Sequence, residues 1–170
     1  MQAAVVNVLG QAPTYQSFPN PVAGEGEVLI HVRAAGLHPI VKALASGSHY
    51  SSTGEVPAIV GVDGVGTLED GSRVYFGGVR KPWGTMAELA VASRSMCIPL
   101  PDGIGDAQAA AIANPGMSAW VSLKHRAGLS AGETVLILGA TGVAGQLAAQ
   151  MPRHLDGELS RWRGIWAPDG

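Results

Sequence analysis

The chain has 170 residues, 46% hydrophobic and 14% charged, and a formal net charge of −2. An average domain is about 25% charged, so there is little here with which to build a nucleic-acid groove or a polybasic membrane patch. A single cysteine, Cys97, excludes an intramolecular disulfide framework and a cysteine-based zinc lobe. The start, Met1-Gln2-Ala3-Ala4-Val5-Val6, lacks the basic stretch and apolar run of a secretory signal, and the chain reads as cytoplasmic.

The first hundred residues read as short strands joined by turns rich in glycine and proline. Val28, Ile30, Val32 and Ala34 alternate with Leu29, His31 and Arg33, the period-two pattern of a half-buried strand. Further strands are expected over 58–62, 64–68, 73–76 and 86–91, with turn signals at Glu69-Asp70-Gly71 and Gly77-Gly78. This spacing predicts a small barrel or sandwich. His31 falls on the outward face of its strand, and Cys97 reads as an apolar filler.

Beyond Pro101 alanine dominates. Asp106 is placed to N-cap a helix through 107–113, and a second helix is expected over 116–127, before Gly128. Glu133-Thr134-Val135-Leu136-Ile137-Leu138 is a continuous apolar run after Gly132 and before Gly139, which predicts a buried parallel strand. A last helix is expected over 143–150. Pro152 interrupts its continuation. Residues 151–170 carry no second strand and read as an atypical tail, foreign to what precedes them.

Between the expected strand and the last helix lie Gly139, Ala140, Thr141, Gly142, Val143, Ala144 and Gly145. A glycine turn in that context lets backbone approach a pyrophosphate, which the helix N-terminal amides then hold. The spacing is G-x-x-G-x-x-G rather than G-x-G-x-x-G, and a tight turn that merely packs helix on strand is the alternative. The window in which a ribose-reading residue is expected holds Glu158, Arg161 and Arg163, with no strand leading to them.

Several short motifs in order then resemble one family. Val28–Gly36, the turn from Gly61 to Gly66, Gly71-Ser72-Arg73-Val74, Gly84–Glu88, Pro99-Leu100-Pro101 and Ala109 to Ala119 are similar to the N-terminal GroES-like domain of medium-chain dehydrogenases/reductases. Val135–Gln150 resembles the first βα unit of that family's Rossmann domain. The branch most resembled is the zinc-free, NADPH-dependent quinone oxidoreductases.

The resemblance implies an α+β, mainly β fold. A GroES-like, partly open β-barrel with linker helices would occupy 1–127, the first βα unit of a truncated Rossmann domain 128–150, and the atypical tail 151–170. His38, Val62 and Asn114 stand where the zinc-dependent branch carries its ligands, and valine cannot ligate, so no metal is expected. The cofactor implied is NADPH, held by Gly139, Ala140, Thr141, Gly142, Val143 and Gly145, with Ser118 facing the nicotinamide. Tyr50 matches a tyrosine near the nicotinamide, and His38 stands where relatives carry asparagine; both are candidate catalytic contacts. The partners implied are a small quinone or enone and, as in relatives, a second copy of the chain. A non-catalytic GroES-like binding module and a chain not stably folded beyond residue 130 are the competing readings.

Overall fold

The computed structural model describes residues 1–130 and 132–151. The expected break at Pro152 and the tail beyond Met151 lie outside the described residues. By their contacts the residues divide into two compact units, Met1–Ala111 and Ile112–Gly170.

The first unit is a curled antiparallel half-barrel. Its smaller sheet runs β2-β1-β4, from β1 (Gln2–Val6), β2 (Thr14–Ser17) and β4 (Ala58–Ile59). The larger sheet runs β7-β3-β5-β6-β8, from β3 (Glu27–Ala35), β5 (Gly64–Thr67), β6 (Arg73–Phe76), β7 (Leu89–Ser93) and β8 (Cys97–Pro99). Residues 86–88, expected as the start of a single strand, do a different job. They bond to β1 through an Ala3–Ala87 bridge, while Leu89–Ser93 pairs with β3. One extended segment therefore pairs with both sheets in turn, which curls them together.

The core lies inside that curl. Ile30, Leu68, Val74, Phe76, Ala90 and Ala92 form its largest cluster, and Ala3, Val5 and Ile59 a second. On β3 the alternation places Ile30 inside and His31 outside, as expected. The β3–β5 register shifts between Val32 and Ala34, leaving Arg33 as an extra residue whose guanidinium lies 3.8 Å from Asp106. Arg73 of β6 completes that corner, donating to Asp106 at 2.6 Å and to the Ile104 carbonyl at 2.7 Å. Asp106 is thus an ion-pair partner in the first turn of α2 (Asp106–Trp120) rather than a cap. Cys97 packs against the larger cluster half-buried, and burial pushes its thiol above the ordinary value.

Two expectations from the sequence fail in the region after residue 111. The helices expected over 107–113 and 116–127 are not separate: α2 runs through Pro115, and a π-helical turn, Val121–Arg126, follows directly. Pro115 denies the Ala111 carbonyl its helical partner, but Ala111 is exposed and solvent can take that role. The expected strand over 133–138 is not formed, and Leu136 and Leu138 are 65% and 85% exposed. A strand is a pairing relation, and no described strand pairs with these residues. The last helix, α3 (Val143–Gln150), is present. None of the described helices is long and apolar enough to cross a membrane.

Candidate functional site

The chemistry of the first unit gathers around one buried acid. Asp63 lies between β4 and β5 and is 3% exposed. Two donors converge on its Oδ2: the Tyr75 hydroxyl at 2.6 Å and the His38 Nε2 at 3.2 Å. Its Oδ1 is buried with no partner among the described residues, which is costly for a desolvated carboxylate. The other buried side-chain oxygen without a partner is Thr85 Oγ1.

Local structure explains why the three side chains meet. His38 precedes α1 (Pro39–Ala45) with extended backbone, φ −108° and ψ 161°, and Pro39 opens the helix. Its ring makes no cap bond and turns to Asp63 instead. Gly36 donates its amide to the Asp63 carbonyl at 2.9 Å. A Cβ on Gly36 would stand 2.5 Å from His38 Nε2 and 2.6 Å from Asp63 Oδ1, so only glycine lets the ring and the carboxylate close over the chain. Tyr75 comes from β6, paired opposite Val65 of β5. Burial, then the hydrogen bond to Asp63 and its charge, holds the Tyr75 phenol well above its ordinary value of 10.0.

Tyr50 stands apart from this cluster. It is 96% exposed on the loop after α1, its ring 4.3 Å from that of His49. No hydrogen bond among the described residues joins it to His38. Nearby, α1, β4 and the segment around Trp83 enclose a cleft of about 230 Å³. Its walls are apolar (Val6, Val41, Leu44, Val60, Val62), with Lys81 and Glu55 among its polar lining. It is smaller than a typical drug-sized pocket.

In the second unit the glycine turn keeps its geometry although the strand before it does not form. Gly139 has φ +72°, a conformation natural to glycine. Its carbonyl accepts from the Gly142 amide at 3.0 Å, and the Gly142 carbonyl accepts from Gln146 to start α3. A Cβ on Gly145 would collide with the Gly139 carbonyl and lie 2.7 Å from the Ala140 Cα. The first-turn amides of Val143, Ala144 and Gly145 have no acceptor within the helix, which is the donor set an anion requires. Thr141 is exposed in the turn, and its carbonyl accepts from the Gln146 side chain. Ser118 is also exposed, its hydroxyl bonded back to the Asn114 carbonyl at 3.3 Å.

No family model matches the sequence. The quinone oxidoreductase of Sus scrofa is 35% identical over 142 residues, covering 78% of this chain and 43% of that protein. The quinone oxidoreductase of Thermus thermophilus, solved alone and with NADPH, superposes with a TM-score of 0.81 at 33% identity. That match covers 90% of this chain and 50% of the other. Over most of its length the chain is thus similar in sequence and fold to quinone oxidoreductases of the medium-chain dehydrogenase/reductase type. The quinone oxidoreductase of Coxiella burnetii superposes equally well, TM-score 0.81 at 25% identity, over 91% of this chain and 53% of that one. The chain thus spans about half the length of the relatives it matches.

Of the residues expected from the sequence, the structure brings His38 into a network and gathers Gly139, Ala140, Thr141, Gly142, Val143 and Gly145 into one turn. Tyr50 and Ser118 are left at the surface. Asp63 and Tyr75 were not singled out as site residues. The available signal was an aspartate inside the apolar run Ile59–Val65, where an acid has to be partnered. Among the described residues no three His, Cys, Asp or Glu side chains cluster as a metal-ligating set.

Proposed function

We propose that the chain is the GroES-like part, residues 1–127, and the segment 128–150 of the opening βα unit, of which the glycine turn and helix are formed here, of an NADPH-dependent, zinc-independent reductase of quinones or activated alkenes in the cytoplasm. The observation that carries this reading is the glycine turn. Gly139, Gly142 and Gly145 keep a cradle and helix start that fit a pyrophosphate, within a chain similar to a quinone oxidoreductase solved with NADPH.

NADPH, when bound, supplies the hydride. The chain's own residues bind and orient. The amides of Val143 to Gly145 hold phosphate oxygens, and Ser118 faces the nicotinamide. Tyr50 Oη donates to the carbonyl oxygen on which negative charge develops, and the cleft beside Val62 excludes water from a small ring. His38 hydrogen-bonds a hydroxyl of cofactor or substrate. Partners are the small quinone or enone and a second copy of the chain.

A titration of the purified chain with NADPH, followed by ligand fluorescence and thermal shift together, tests the reading. Saturation in the micromolar range, with a rise in melting temperature, supports it; no binding at millimolar NADPH overturns it. A second reading, a non-catalytic GroES-like binding module, is favoured by the exposure of Leu136 and Leu138 where a strand was expected. A cooperative melt indifferent to NADPH would select it.

A further inference from the structure

We propose that Asp63 is a positioning residue, backed by Tyr75, that sets the tautomer of the His38 ring, with the proton on Nε2, and so leaves Nδ1 as the acceptor His38 offers to a hydroxyl. Four observations carry this. Asp63 is buried, its side chain 4% exposed and that of His38 11% exposed, so the pair meets largely out of water. A carboxylate oxygen only accepts, so the nitrogen facing it at 3.2 Å has to carry the proton. Tyr75 donates to the same Oδ2 at 2.6 Å and fixes the carboxylate's rotation, so that Oδ2 faces the imidazole. Among the described residues His38 Nδ1 has no hydrogen-bond partner, and the ring makes no bond to α1.

The lock divides the work of the site. An imidazole that presents a lone pair accepts from a ribose or hydroquinone hydroxyl and does not donate to a carbonyl. Donation to the oxygen that gains charge then falls to Tyr50. The inference rests on the reading of His38 as a ligand-facing residue given above. Its test needs no ligand, so its failure and the failure of NADPH binding are separate results.

The experiment is nitrogen-15 and proton NMR of the imidazole rings in the full ligand-free chain at neutral pH. The chain has five histidines, and the His38 signals are assigned by their loss in His38→Gln. In the wild type, His38 shows a protonated Nε2 whose hydrogen exchanges slowly enough to be seen, and an unprotonated Nδ1. In Asp63→Ala that hydrogen is lost from view and the ratio of tautomers falls about tenfold or more, the scale of a hydrogen bond to a charged group. Asp63→Asn, which restores an oxygen facing His38 and Tyr75, recovers the wild-type pattern. A wild-type ring protonated on Nδ1, or averaging both forms, overturns the proposal whatever the variants do. So does an Asp63→Ala chain that folds and keeps the wild-type signals.

Discussion

In the half-barrel, apolar pattern and structure agree; over residues 133–138 they part. Residues 73–76 alternate, and β6 forms over those four, with Val74 and Phe76 inside and Arg73 and Tyr75 turned to their own partners. Val135 to Leu138 is an equally long and more uniformly apolar run, yet it forms no strand and leaves two leucines exposed. Hydrophobicity supplies a face to bury, but a strand also needs a neighbour's hydrogen bonds. The half-barrel supplies neighbours on both sides of β3 and β5. The turn from Gly139 to Gly145 survives because its contacts are local: a carbonyl three residues back, a helix start and the missing Cβ of Gly145.

The sharpest way to break this comparison is to truncate one apolar residue in each region. Phe76 is fully buried in the largest cluster, so Phe76→Ala is expected to cost about 3–5 kcal/mol. Leu138→Ala is expected to fall within about 0.5 kcal/mol of wild type, because 85% of that residue is already in water. Urea denaturation of both variants gives the two numbers. A large cost at Leu138 would mean that the 133–138 run is packed, and the contrast would fail.

What the sequence made legible follows the same division. β3 and β6 were legible because alternation in valine, isoleucine and aromatic residues is a local record of one buried face. β1 was missed as an element: Gln2, Ala3 and Ala4 are weak β-formers, and its strand character comes from pairing with β2, the next strand in the chain, and with β4, far along it. The glycine turn was legible because every contact that shapes it lies within seven residues. The Asp63 cluster was legible only at His38. Its members are 25 and 12 residues apart, and their meeting depends on the β5–β6 register, which no local pattern encodes.

A smaller effect sharpens the contrast between a global and a local role for glycine. Gly36→Ala presses a methyl against His38 and Asp63 inside the half-barrel, and it is expected to lower the cooperative melt by about 1–3 kcal/mol. Gly145→Ala drives its methyl into the Gly139 carbonyl, opening the turn. It is expected to weaken NADPH binding and speed hydrogen exchange at the Gln146 amide, while the half-barrel's melt stays in place. Equal losses of global stability in both variants would show that the turn is part of the cooperative core.

The smallest effect is a slope with pH, and it belongs to the half-barrel alone. Burial and Asp63 raise the folded-state pKa of Tyr75 above its ordinary 10.0, so the folded chain holds the phenol proton more tightly than the unfolded chain does. This contribution to stability is whole below pH 10, and it is lost as pH rises from there through the folded-state value. Tyr75→Phe removes the titrating proton together with its bond to Asp63. Stability of the variant is therefore expected to be lower near neutral pH and to fall less steeply in alkali, so that the two curves converge. Denaturation midpoints of both chains, taken across the alkaline limb, measure the difference in slope. Parallel curves would mean that Tyr75 ionises alike in both states, and that the hydroxyl on Asp63 Oδ2 does not hold the carboxylate as the structure shows.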